Sequence, residues 1–290
     1  MKNIVVTGGS GKVGRPLVRD LLERGYRVLN VDLVPSTEPL CHFVRADLND
    51  MGQAIDALRR AAGTVERRRG FELADAVVHL AGIPAPGLAP DATTFQNNLM
   101  TTYNVFSAAT LLGLKRVVWA SSETLFGLPF TREVPAFAPI TEDHPMLPES
   151  GYALAKGLSE EMARQMHRWN PGTSFVGLRI SNVIEPHEYG MFEGWQDKPE
   201  IRKWNLWSYV DSRDAALACR LALEADHLGA DHFNVAAADS VMRRPNRELM
   251  AQYFPQVPIT REIGEHESLQ STEKAKRLMG YVPQHSWRNR

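Results

Sequence analysis

Near the start of the chain, between a run of β-forming residues and an amphipathic stretch, lies Thr7-Gly8-Gly9-Ser10-Gly11-Lys12-Val13-Gly14. No other segment narrows the fold as much. Residues 2–7 read as a buried strand, and Val13, Leu17, Val18, Leu21 and Leu22 recur at the spacing of one helix face. Gly9, Gly11 and Gly14 fit the pattern G-x-G-x-x-G. Small residues at these places let the backbone turn tightly and approach a pyrophosphate. The N–H groups at the helix start then point at its charge. The strand before and the helix after are the context that gives this short motif its weight.

The same rhythm continues. Strands are expected at 26–33, 43–44, 76–80, 116–120 and 175–180. Helices are expected at 51–62, 95–112 and 151–169, the first with Asn49 or Asp50 as N-cap. Apolar strands alternating with helices predict a parallel sheet covered on both faces. After residue 182 the rhythm breaks. Residues 185–208 carry Trp, Pro, Gly and charge without a clear period; helices are expected at 211–225, 245–253 and 272–278, and a strand at 231–236. The expected organisation is a sheet domain over 1–180 and a smaller lobe over 181–290, with strands of the second part able to return to the sheet.

Composition excludes several classes. The net charge is −1 over 290 residues, which leaves no footprint for nucleic acid or an anionic membrane. The basic run Arg67-Arg68-Arg69 is too short for either and reads as a solvated loop or helix end. No apolar stretch approaches a membrane span, and the start of the chain does not read as a signal peptide. Two cysteines, Cys41 and Cys219, rule out a disulfide scaffold and point to free thiols in the cytoplasm. The scattered histidines offer no metal set.

Two features carry chemistry. Asp32 ends the second strand, 18 positions after Gly14. A carboxylate there accepts from both ribose hydroxyls and repels a 2′-phosphate, so NAD rather than NADP is expected. Asp47 ends the next strand, where it either bonds an adenine amino group or caps the following helix. The second feature is Tyr152-Ala153-Leu154-Ala155-Lys156, whose first and last residues share one helix face. A phenol is a poor base at neutral pH until a nearby ammonium stabilises the phenolate. A tyrosine tuned this way takes a proton from a substrate hydroxyl.

The order glycine loop, Asp32, Tyr152, Lys156 resembles the extended short-chain dehydrogenases/reductases of the NAD-dependent epimerase/dehydratase family. Further stretches carry the resemblance: His79-Leu80-Ala81-Gly82 after the fourth strand, Asn98 on the next helix, Arg179 with Asn182, Tyr209-Val210-Asp211, and Lys274-Ala275 to Leu278 with Gly280-Tyr281 and Pro283. The resemblance implies a Rossmann-type doubly wound α/β sheet with a small C-terminal substrate lobe. It implies NAD as cofactor, held by Gly8, Gly9, Ser10, Gly11, Lys12, Val13, Gly14, Asp32, Asp47, Leu48, Leu80, Ala81, Gly82, Asn98, Ala120, Tyr152, Lys156 and Ile180. Lys156 would serve both the ribose hydroxyls and the phenolate. Ser122 takes the place of the family's catalytic Ser or Thr, ahead of Phe126-Gly127, with Ser121 expected to face the cofactor. Asn98 is implied to support a water relay behind Lys156 or to fix the site. His79 is expected to be a strand-end residue rather than an acid. A homodimer through helices 95–112 and 151–169 is also implied.

Departures from the family pattern bear on the substrate. Dehydratases place an Asp-Glu pair after the catalytic Thr; here Glu123-Thr124 stands there, which disfavours dehydration. Nucleotide-sugar epimerases usually carry an Arg four residues before the position of Tyr209, and here it is Asn205, with Arg202 and Lys203 nearby. The lobe is also short. These points favour a sugar or sugar-acid dehydrogenase over a nucleotide-sugar 4-epimerase. The carboxylate-binding Arg of uronate dehydrogenases is absent just after Asn182, with His187 as the candidate substitute. Ser122, Glu123, Thr124, Asn182, His187 and Arg202 are the expected substrate contacts. Trp195, Trp204 and Trp207 suit either sugar faces or core packing. An idle NAD-binding regulator is the remaining alternative, disfavoured because Ser122, Tyr152 and Lys156 are all kept.

Overall fold

Seven parallel strands form one sheet in the order β3-β2-β1-β4-β5-β6-β9. The computed structural model describes residues 3–59, 73–226 and 229–289. The strands are β1 (Asn3–Thr7), β2 (Arg27–Asp32), β3 (His42–Arg45), β4 (Ala76–His79), β5 (Arg116–Ser122), β6 (Ser174–Ile180) and β9 (Ala230–Val235). A separate pair, β7 (Val183–Ile184) and β8 (Val210–Asp211), stands outside the sheet. Parallel strands covered on both faces must be apolar throughout, and every residue of β1 and β4 is buried. Strand order reverses between β1 and β4, which opens a crevice at the carboxyl ends of the strands.

Two helical layers cover the sheet. On one face α1 (Gly14–Glu23), α5 (Ser212–Glu224) and α7 (Glu273–Met279) bury Leu17, Val18, Leu21, Cys219, Leu223 and Met279. On the other, α2 (Met51–Arg59), α3 (Asp91–Leu111) and α4 (Gly151–Trp169) bury Leu58, Val105, Phe106, Ala163 and Met166. Each large side chain taken out of water in these layers contributes roughly 1.5–3 kcal/mol. A third core, built on Phe126, Ile140, Phe192, Trp207, Tyr209, Met250 and Leu269, belongs to a smaller lobe, which also carries α6 (Asn246–Tyr253). Segments cross residue 180 in both directions: β9, α5 and α7 pack in the sheet domain, while 126–140 enters the lobe core.

Several boundaries differ from expectation for local reasons. Helix α3 starts at Asp91, earlier than Phe95, because Pro90 ends the loop and the Asp91 carboxylate accepts from Gly151 N at 2.8 Å, tying the starts of α3 and α4 together. Strand β5 runs two residues past Ala120, since Ser121 and Ser122 pair with Arg179 and Ile180 of β6. Asp211 is the N-cap of α5 rather than its first residue, accepting from Arg213 N at 2.8 Å. The irregular stretch 185–208 folds into three 3-10 turns, at Pro186–Trp195, Pro199–Ile201 and Lys203–Asn205. Residues 60–62 of the expected second helix, and Arg67 to Arg69, lie outside the described residues. Among the described residues no helix is long and apolar enough to cross a membrane.

Candidate active site

The glycine loop joins β1 to α1 and packs against the strands beside it. Gly8 has φ +70°, and a Cβ there would fall 2.6 Å from Ala81 N. A Cβ on Gly14 would fall 2.3 Å from the Gly8 carbonyl, so this residue lets α1 close onto the turn. Gly11 differs, because its Cβ would meet only Gly8 O, at 3.3 Å. The loop therefore packs inward through Gly8 and Gly14 and leaves room at Gly11, the shape a pyrophosphate requires. Val13 stands at the N-cap position of α1.

The Asp32 carboxylate lies beside this loop and accepts from Ser10 N at 3.1 Å and Leu33 N at 2.7 Å. Ser10 is fixed further by Asn30 Nδ2, which donates to its hydroxyl at 3.1 Å, and the buried Asn30 Oδ1 has no protein partner. The basic residues here are paired within the protein. Lys12 Nζ donates to Glu188 at 2.6 Å, and Arg15 donates through Nη2 to Glu185 at 2.6 Å and through Nη1 to Ser10 O at 3.0 Å, joining the start of α1 to the stretch 185–188. An acceptor-only carboxylate held by the loop, with the nearby cations paired elsewhere, fits the ribose of NAD.

The flanking loops are set in the same way. Asp47 is exposed and makes a local turn, accepting from Asn49 N at 3.0 Å; Asp50, not Asn49 or Asp47, caps α2 through Gln53 N at 3.0 Å. The Leu48 side chain belongs to the core under α2 and α3. Beyond β4, Leu80 N donates to Thr7 O at 3.0 Å and Ala81 N to Thr7 Oγ1 at 3.3 Å. Buried Asn98 brackets the main chain of Ile83, accepting from its N at 2.8 Å and donating to its O at 2.9 Å, and so holds the loop that includes Gly82. His79 is buried between Thr7 and Thr102, and burial pushes its imidazole down to about 3, so it stays neutral.

Tyr152 lies in the first turn of α4, where Ser150 caps the helix by accepting from Ala153 N at 3.2 Å. Lys156 follows one turn later. The two are 7% and 8% exposed. Ser122, at the end of β5, stands beside the Tyr152 phenol and acts to lower its pKa. Lys156 Nζ donates to Ala120 O at 2.6 Å and stands 5.7 Å from the Tyr152 ring centre. Burial dominates the titration of both: Tyr152 is pushed up to about 12, against the pull of Ser122, and Lys156 down to about 8. The expected lowering of the phenol by the ammonium does not arise here: burial and the nearby Glu123 raise the phenol, and burial alone lowers Lys156.

The Ser121 hydroxyl is committed to the protein: it donates to Glu160 Oε1 of α4 at 2.7 Å, and Arg179 pairs with the same carboxylate through Nε and Nη2, at 2.9 and 2.8 Å.

On the substrate side Glu123 is buried. It accepts from Ser181 Oγ at 2.7 Å, Asn205 Nδ2 at 3.2 Å and Gln270 Nε2, and burial raises its pKa despite these donors. Arg202 donates to Asn182 Oδ1 and Ser208 O, each at 2.9 Å, and lies over the rings of Trp195 and Trp204, 4.8 Å from each. All three tryptophans serve the lobe core, Trp207 buried within it and Trp195 and Trp204 packed against it. Thr124 donates to Ser122. His187 is exposed on the 3-10 turn beside Glu188. Ile180 ends β6 opposite Ser122.

Comparison with known proteins decides the relationship. The model of the NAD dependent epimerase/dehydratase family matches residues 4–236. The chain belongs to this family. A bifunctional UDP-glucose 4-epimerase and UDP-xylose 4-epimerase 3 from Arabidopsis thaliana is 30% identical over 216 residues, covering 72% of this chain and 59% of that protein. A solved UDP-galactose 4-epimerase is 26% identical with a TM-score of 0.67 and covers 99% of this chain and 94% of its own. A mutated uronate dehydrogenase is 22% identical with a TM-score of 0.68, covering 99% and 83%. The chain spans between 47% and 59% of the length of the first curated relatives that it matches. The Rossmann-type sheet is the one its family membership implies, and NAD is the cofactor of that family.

Within this family frame, sequence reasoning overlooked Glu160, Ser181 and Gln270. Glu160 continues the Tyr152, Lys156 spacing by one more turn, and that signal was available. Gln270 reaches Glu123 from 147 residues away, and nothing local in its sequence marks it.

Proposed function

We propose that this protein is an NAD-dependent dehydrogenase that oxidises a hydroxyl-bearing carbon of a free sugar or sugar acid. The observation that carries this reading is at Asn205. Its side-chain amide is spent on Glu123 and on Ser208 O, at 3.2 and 2.9 Å. It replaces the arginine that would meet a diphosphate. Lys203 is exposed and stands 6.0 Å from the ring centre of Tyr253, so it does not join Arg202 in a paired phosphate site.

In this reading Ser122 holds the substrate oxygen, Tyr152 takes its proton, and Lys156 positions the phenol and the cofactor ribose. NAD, when bound, supplies the hydride acceptor and a positive charge near the phenol. The glycine loop, Asp32, Leu80 to Gly82, Ala120 and Ile180 would cradle it. Glu123 accepts three hydrogen bonds and sits out of water, which suits a structural carboxylate rather than the acid of a dehydratase. The 1–180 part would hold the cofactor and the 181–290 part most of the substrate. Exposed Met100 and Tyr103 on α3, with Leu154 and Leu158 on α4, offer an apolar face for a second copy of this chain.

The names of the sequence relatives favour a second reading, a UDP-sugar 4-epimerase. It uses the same Ser122, Tyr152 and Lys156. Absorbance at the NADH band separates the two. Steady NADH production with a free sugar or sugar acid is expected. Interconversion of nucleotide sugars with no net NADH would overturn the dehydrogenase reading.

A further inference from the structure

Tyr152, Lys156 and Glu160 recur every four residues along α4, on one face of three successive turns. Each meets the end of β5. Tyr152 stands beside Ser122, Lys156 Nζ donates to Ala120 O at 2.6 Å, and Glu160 Oε1 accepts from Ser121 Oγ at 2.7 Å. Arg179 of β6 is the register partner of Ser121, and its fork grips both oxygens of Glu160, at 2.9 and 2.8 Å. His232 of β9 lies 3.7 Å from the same carboxylate. One buried side chain, 7% exposed, thus reaches three adjacent strands of the sheet. Burial works to raise its pKa, but the hydrogen bonds and charge of Arg179 hold it below the ordinary value, so Glu160 stays charged.

We propose that Glu160 is a positioning residue for the reaction: acting through Ser121, it sets the register of α4 on β5 and thereby the placement of Tyr152 against Ser122. The proposal rests on Ser122 and Tyr152 as the reacting pair, which the dehydrogenase and epimerase readings share. The rest of the buried face of α4 is small, with Gly151, Ala153, Ala155, Gly157, Ser159 and Ala163. Apolar contacts carry no direction, so smooth surfaces of this kind tolerate sliding. Polar bonds at fixed angles do not. Lys156 alone leaves the helix free to pivot about Ala120 O, and a second tie one turn further on removes that freedom. Arg179 Nη1 also donates to Glu142 O at 3.1 Å, which fixes the guanidinium independently of α4. A buried ion pair is often no more stabilising than apolar residues of equal volume, and its best-attested use is to specify one packing arrangement. Apolar residues in place of Glu160 and Arg179 would fill the same space without anchoring Ser121.

Glu160→Ala would strand Arg179 as an unpaired buried charge and risks unfolding, so the test cuts the link at Ser121. Ser121→Ala leaves the pair of Glu160 and Arg179 whole. With whichever sugar or nucleotide sugar the wild type turns over, kcat is expected to fall about tenfold, a misplacement on the order of 1 Å costing roughly a hundredfold. KM and the Kd for NAD should stay within about twofold. Glu161→Gln, on the exposed side of the same helix, should leave all three unchanged. A Ser121→Ala protein that melts earlier yet turns over like wild type shows a purely structural link and overturns the inference. So does a loss of NAD affinity in step with the rate. If Tyr152→Phe keeps near-full turnover, or no sugar of either kind is turned over, the reading of the reacting pair fails on its own account. Hydrogen exchange of the NAD-saturated protein then decides the register. Peptides covering 120–124 and 151–157 should exchange about tenfold faster or more in Ser121→Ala, and exchange equal to wild type removes the role of Glu160.

Discussion

The hydroxyl of Ser122 accepts two hydrogen bonds from Thr124, one from its amide at 3.2 Å and one from its hydroxyl at 3.0 Å. With both acceptor positions filled, the one proton of Ser122 is left to donate, which is what holding a substrate oxygen beside Tyr152 requires. Thr124 thereby fixes Ser122 as a donor. Thr124→Val removes the hydroxyl donor at almost constant shape. Its kcat should fall about tenfold, the worth of one such hydrogen bond, with NAD affinity unchanged. Thr124→Ser should retain most of the activity. Steady-state kinetics of the two variants check this.

Tyr152→Phe removes the acceptor of the substrate proton. Turnover should drop ~10²-fold or more while the Kd for NAD barely moves. Isothermal titration alongside the rate assay tests both halves, and near-full activity would refute the role of Tyr152 as base.

Lys156 carries a cost as well as a function. Its pKa falls from 10.5 in the open chain to about 8 in the folded protein. Between these values the unfolded chain holds a proton that the folded one has released. Stability should therefore rise with pH across roughly 8 to 10.5, and the full penalty, on the order of a few kcal/mol, applies below pH 8. Lys156→Met should abolish that rise and be more stable than wild type near neutrality, while losing both rate and NAD affinity. Denaturant melts at a series of pH values, with NAD titrations, test these outcomes.

Asp32 should make NAD the preferred dinucleotide, since a 2′-phosphate would meet its carboxylate at close range. Fluorescence titration should show tighter binding of NAD than of NADP, with the gap narrowed in Asp32→Ala. Equal or tighter NADP binding by wild type would sink the idea.

Much of this was legible in the sequence because its signals are local. The glycine loop, the strand-end Asp32 and the Tyr152, Lys156 spacing each lie within one turn or one strand, and α4 spans 151–169 as its pattern predicts. Ser122 was also within reach through the resemblance, since it stands four residues before Phe126 of the Phe126-Gly127 pair. The surroundings of Glu123 were not. Ser181, Asn205 and Gln270 come from three distant stretches, and only the folded lobe brings them onto one carboxylate. The short pair β7 and β8 escaped for a related reason: two-residue strands leave no periodicity to read.

The bonds from Lys12 to Glu188 and from Arg15 to Glu185 act as two sutures across the cleft. They fasten the glycine loop to the stretch that opens the smaller lobe. Under the proposed function, an exchange at either glutamate would free a cation beside the dinucleotide and slacken the wall on the sugar side in one stroke. Dinucleotide affinity and sugar choice would then be linked traits, and a mutational path that alters one would drag the other along.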